Sequence, residues 1–177
     1  RDRLRSRGLG DVYKRQALVD AVSDMEGVAV FNLYELSQEI AFNVDEWSKI
    51  ISDASAVIYQ FPFYWMSAPS LLKKWQDEVF TFLSKTPAVA GKSLTVVTTT
   101  GSEYEAYRSG GRNRFTMDEL LRPYQVSAIH SGMSWQTPIV VYGMGTADAG
   151  KNIAEGANLY KQRVEMLIGS SNAGNNW

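Results

Sequence analysis

Cysteine is absent from the 177 residues. That excludes disulfide frameworks, thiolate zinc sites, iron–sulfur clusters and cysteine nucleophiles. A single histidine, His130, leaves no material for a multi-histidine metal site, and no metal is assigned. It lies in an apolar stretch and reads as a structural residue. No apolar run approaches the roughly 18 residues that a membrane span needs. Neither sign of charge dominates, and with a net of -1 nothing in the balance draws the chain to nucleic acid or anionic lipid. What is plentiful is aromatic: 12% of the residues, with 5 Trp and 9 Tyr. At 45% hydrophobic the composition is that of a globular domain long enough to bury a sizeable core.

The charge is unevenly spread. Residues 1–16 hold six Lys and Arg against two acids, a net of +4, and the rest of the chain carries -5. This first segment has no starting methionine, no helical or alternating apolar pattern and no apolar stretch of a secretory signal. A transit peptide or a nucleic-acid arm is one reading of it. It also resembles translated adaptor sequence, and it is set aside as a non-native or disordered segment. The domain is expected over 17–168, with a loose tail over 169–177.

Helix-like and strand-like stretches alternate along the domain. Ala17–Glu26 is amphipathic and is closed by Gly27. Val28–Tyr34 reads as a strand, Asp45–Ala54 as a helix, and Ser55–Phe61 as a second strand stopped by Pro62. Ser67–Leu83 is the clearest helix, with Leu71, Leu72, Trp75, Val79, Phe80 and Leu83 on one face. Ser93–Thr100 is a nearly unbroken β-branched run, as expected where both sheet faces are covered. A loop over Gly101–Asn113 leads to a helical pattern over Phe115–Ser131, interrupted by Pro123. A strand over Ile139–Gly143 and a helix over Gly150–Ile168 complete the domain. Such alternation predicts an α/β fold with a parallel sheet. Ligands of such sheets bind beyond the carboxyl ends of the strands, so Pro62–Ser67, Gly101–Asn113 and the segment after Gly143 are the loops to inspect.

Pro62-Phe63-Tyr64-Trp65-Met66 places three consecutive aromatics between a strand and a helix. A flat heteroaromatic ligand, a partner subunit or the protein's own core would cover them. Thr99-Thr100-Gly101 combines hydroxyls, amides and an open backbone that suit a polar ring edge, and is equally compatible with a plain turn. In the long loop that follows, Tyr107 is either a hydrogen-bond donor to a developing anion or a surface tyrosine. Asp77 and Glu78 read as solvation of an exposed helix face.

The block from Tyr59 to Trp75, YQFPFYWMSAPSLLKKW, closely resembles the flavodoxin-like NAD(P)H:quinone oxidoreductases, which include the ancillary subunit of glutathione-gated potassium-efflux systems. Thr99-Thr100-Gly101, Ala106-Tyr107, Gly110-Gly111, Leu120–Pro123 and Pro138–Gly143 extend the likeness, in order, over residues 17–168. The resemblance implies a three-layer flavodoxin-like sandwich of sheet order 2-1-3-4-5 and a flavin, FMN or FAD, reduced by NAD(P)H. It implies that Pro62, Phe63, Tyr64, Trp65 and Met66 hold the ring and that Thr99, Thr100 and Gly101 bond its polar edge. Tyr107 is then the catalytic residue, beside the pyrimidine end where negative charge gathers on reduction. Other family members place a histidine near that tyrosine. Here the loop offers Arg108, Arg112 and Asn113, so a histidine's proton-donor role does not carry over.

The family's central first strand and its phosphate-binding loop would precede Ala17, and residues 1–16 do not supply them. The chain therefore reads as an N-terminally truncated copy. Its sheet is expected to lack that strand, and its activity and flavin affinity to be weakened. The leading reading is two-electron reduction of a quinone or similar acceptor by a cytoplasmic homodimer. The alternative is a regulatory subunit docked on a membrane antiporter, with secondary redox activity. A one-electron flavodoxin carrier ranks last.

Overall fold

A computed structural model describes residues 16–36 and 41–174. Its framework is a parallel sheet of β1 (Ala56–Pro62), β2 (Ser93–Thr99), β3 (Ser134–Trp135) and β4 (Ile139–Val141), with β2 paired to all three others. β3 and β4 run along one edge of β2, separated by residues 136–138, where Pro138 has no amide to give to a ladder. Val96 and Val97 are fully buried on opposite faces of β2, as the unbroken β-branched run requires.

Helices cover both faces. On one side lie α1 (residues 16–23) and the long α8 (Ala149–Gly174), which bury Leu18, Val22, Ile153, Tyr160 and Val164 against Val97, Ile139 and Val141. Gly156 permits that approach, since a Cβ there would meet Val141 at 2.3 Å. On the other side lie α2 (Leu33–Leu36), α3 (Val44–Asp53), α4 (Ser70–Trp75), α5 (Thr81–Leu83), α6 (Met117–Leu120) and α7 (Arg122–His130). Their core is aromatic: Trp47, Trp75, Tyr59 and Tyr124 meet edge to face at 5.2–6.4 Å. The result is the expected three-layer α/β sandwich.

Several expectations need correction. Val28–Tyr34 is no strand: residues 28–32 are irregular, and α2 follows, with the Asn32 side chain accepting from the Tyr34 amide at 3.1 Å. Among the described residues no strand pairs with the edge of β1 away from β2, so this segment has no ladder to join. A groove of about 460 Å³ runs there instead, between Trp47, Leu72 and Trp75 on one wall and Tyr160, Val164 and Ile168 on the other.

The helix expected from Ser67 starts at Ser70, because the residue before Pro69 is driven out of the helical region. It widens into a π turn over Gln76–Phe80 before α5. The Phe115–Ser131 pattern splits at Leu121 into α6 and α7, with Pro123 in the first turn of α7. α8 runs to Gly174, past the tail expected from Gly169: the stretch is poor in helix formers but holds no proline, and it extends a helix already nucleated by 20 preceding residues. His130 is exposed at the end of α7 rather than packed inside. Asp77 is exposed as expected, whereas Glu78 is half-buried and accepts from the Phe42 amide at 3.1 Å. Residues 1–15 and 175–177 lie outside the described residues, and Gln16 already belongs to α1.

Candidate functional site

The three loops singled out by topology meet at the carboxyl ends of β1, β2 and β4. The Phe63 amide donates to the Thr99 carbonyl at 2.9 Å, and the rings of Phe63 and Tyr107 contact edge to face at 6.1 Å. The loop after β4 is clamped on from the other side. Met144 donates to Thr100 at 2.9 Å, Gly145 to Gly101 at 2.8 Å, and Gly143 to Ser102 at 2.8 Å. A Cβ on Gly145 would press to 2.9 Å from the Gly101 carbonyl, so this close approach requires glycine.

Within the aromatic loop the residues divide. Phe63 is buried and belongs to the core, while Tyr64, Trp65 and Met66 are exposed, Trp65 to 98%. Tyr64 and Ser67 exchange two backbone hydrogen bonds at 2.9 Å around Trp65 and Met66, whose φ values are 48° and 61°. This is a two-residue turn of the type I′ kind, which asparagine and glycine normally occupy. A tryptophan and a methionine held there in the left-handed region store strain, and such strain gathers at functional sites. The turn is anchored to α7 through Tyr124, whose hydroxyl accepts from the Ala68 amide at 3.2 Å.

In the second loop Thr99 and Thr100 are buried and Gly101 is exposed. The Thr100 hydroxyl donates to the Ser102 carbonyl at 2.8 Å, so it shapes the loop. Tyr107 closes a 3-10 turn over Tyr104–Tyr107 and is buried, not a surface residue. Its hydroxyl faces the side chains of Ser102, Thr100 and Asn113 and the Arg112 guanidinium. Burial pushes the phenol above its ordinary range, and Ser102 and then Arg112 pull it partly back. It therefore stays protonated near neutrality and available as a donor. Tyr142 packs on its ring at 5.9 Å and is itself pushed up to about 12, first by burial and then by Tyr104 and Asp118.

The residues present fit a flat ring with a polar edge. An indole stands in solvent on the loop whose Phe63 ring packs on a buried phenol. The amides of Trp65, Met66, Gly101 and Ser102 make no hydrogen bond within the described residues and remain for a ligand. Residues 15–164 match the family model of the flavodoxin-like fold. The chain belongs to that family.

Among flavodoxin-like relatives, the chain is 32% identical over 136 residues to the glutathione-regulated potassium-efflux system ancillary protein KefG of Pectobacterium atrosepticum, covering 75% of this chain and 74% of that one. A general stress protein 14 from Treponema denticola, solved in complex with FMN, is 26% identical with a TM-score of 0.77, over 86% of this chain and 89% of that one. An NADPH-quinone reductase from P. pentosaceus is 27% identical with a TM-score of 0.71, over 85% and 88%.

Ser102 is the site residue that the sequence reading missed. Its only signal is its position directly after the Thr-Thr-Gly strand end. Among the described residues no cluster of His, Asp or Glu could hold a metal, and no helix is long and apolar enough to cross a membrane.

Proposed function

We propose that this flavodoxin-like protein is a flavin-dependent NAD(P)H:quinone oxidoreductase that uses FMN. The observation that carries this reading is the junction of the Trp65 turn with the Thr99–Tyr107 loop through Phe63, which leaves an exposed indole on one loop and free amides and a buried phenol on the other. A bound flavin supplies two-electron chemistry, so that hydride from NAD(P)H plus a proton converts quinone to quinol. The chain's own residues supply the rest. Tyr64, Trp65 and Met66 offer a platform, with Pro62 and Phe63 supporting it. The Gly101 and Ser102 amides present the polar edge, on a strand end that Thr99 and Thr100 hold in place through their bonds to Phe63, Val141 and Met144, and the Tyr107 hydroxyl donates toward the charge that develops on reduction. The FMN-bound stress protein and the NADPH-quinone reductase among the relatives support the same reading.

We take the protein to work in the cytoplasm as a homodimer that covers the exposed Tyr64–Met66 turn. A second reading, as an ancillary subunit of a potassium-efflux antiporter with secondary redox activity, is favoured by the likeness to KefG. The test is a titration of the full chain with FMN, carried to high flavin excess, followed by NAD(P)H oxidation with and without a benzoquinone. Saturable quenching of flavin fluorescence and quinone-dependent turnover are expected. Absence of saturable binding to FMN, FAD and riboflavin alike refutes both flavin readings. Binding without turnover favours the ancillary one.

A further inference from the structure

The loop after β2 folds back on itself through close contacts. Gly111 lies so near the 3-10 turn that a Cβ there would sit 2.2 Å from the Glu105 carbonyl and 2.9 Å from that of Ala106. The Gly111 amide donates to Arg108 at 2.8 Å and the Asn113 amide to Ala106 at 3.0 Å. This return brings Arg112 to the start of the loop, where its Nη2 donates to Ser102 Oγ at 2.6 Å. We propose that Arg112 is a positioning residue of this site, holding Ser102 against the Tyr107 hydroxyl and fixing a positive charge where negative charge gathers on reduction. The inference deepens the flavin reading and rests on it.

The chemistry of the guanidinium decides what such a residue does. It is charged at every accessible pH, so its contribution carries no ionisation of its own. A histidine in that place would lose its charge across neutral pH, and His130 sits elsewhere, at the end of α7. The other groups around the phenol are Tyr142 on its ring and, beyond that, Tyr104, Asp118 and Arg108, whose guanidinium lies 5.3 Å over the Tyr104 ring. Arg112 is the cation on the hydroxyl side. Its side chain is exposed, so its field is open to screening by salt.

The test reads Tyr107 alone. The full chain is made with 3-fluorotyrosine at position 107, which ionises at lower pH than tyrosine, and the fluorine resonance is followed through a pH titration without flavin. Arg112→Met is expected to reduce the ionisation constant about threefold at low salt, roughly half a pH unit. The difference should shrink in about 1 M salt, where the screening length is near 3 Å. Arg112→Lys should recover part of the shift, as charge without the planar fork. In the flavin-loaded protein Arg112→Met should also lower the two-electron midpoint potential. An unchanged titration overturns the proposal. A shift that survives high salt overturns the electrostatic part and assigns the coupling to the placement of Ser102 alone. Because this titration needs no flavin, a chain that shows the coupling yet binds no flavin refutes the function reading and leaves the Arg112–Tyr107 link standing.

Discussion

Trp65→Gly separates the strain in the aromatic turn from its use. Within one protomer the indole is 98% exposed, so at a dilution that keeps the chain monomeric its removal forfeits almost no packing. A non-glycine residue in the left-handed region costs about 1–2 kcal/mol, and glycine at φ 48° relieves that cost. Glycine in turn frees the unfolded chain by about 0.5–1 kcal/mol. The net is a gain of about 0–1.5 kcal/mol, which for a chain of this size moves Tm by no more than about 6 °C, upward. Flavin binding should move the opposite way. Loss of a stacked aromatic costs about 1–3 kcal/mol, so Kd for FMN should rise about 5- to 150-fold. Thermal unfolding without ligand and fluorescence titration with FMN give both quantities on one preparation. A lower Tm would show that the indole packs against the protein. An unchanged Kd would show that the turn serves something other than the ring.

Tyr107→Phe should lower kcat while flavin content and KM change little, because its hydroxyl acts where charge develops. Loss of flavin with normal turnover per bound flavin would assign the hydroxyl to binding instead. Sedimentation of the full chain at micromolar concentration should show a dimer, and Trp65→Asp, which keeps a turn-compatible residue but charges the exposed tip, should shift it toward monomer. A monomeric wild type would count against coverage of the turn by a second copy.

Much of this architecture was legible because it rests on periodicity. Ser93–Thr99 could be read as a buried strand from its β-branched run. Val44–Asp53 could be read as a helix from Trp47, Ile50 and Ile51, although the Asn43 side chain that caps it, accepting from Asp45 and Glu46, moves the start by one residue. That the three candidate loops meet followed from topology, since the loops after parallel strands share one end of the sheet. Its fine structure did not. The Trp65–Met66 turn lacks the Asn-Gly signal that would announce it, and only its hydrogen bonds and φ values reveal it. Nor does spacing show that Arg112 returns to Ser102 across ten residues, because that depends on Gly111 lying against two carbonyls.

Val28–Tyr34 shows the limit of composition most clearly. Its valines and aromatics suit a strand, but a strand is a property of a ladder, and composition states only what a segment does once a neighbour is present. β2 has neighbours on both edges and six of its seven residues are buried. β1 is laddered to β2 alone among the described strands, and two of its seven are buried. Residues 28–32 join no described strand; Val30 and Phe31 are exposed, and Phe31 leans on Trp47 at 5.4 Å instead. Order thus rises across the molecule from 28–32 through β1 to β2. The loops proposed to hold the flavin ring follow β1 and β2, in the laddered part of that gradient. Their geometry is set by strands that pair with one another, which is why the Trp65 turn and the Tyr107 loop hold a defined shape while the neighbouring segment remains irregular.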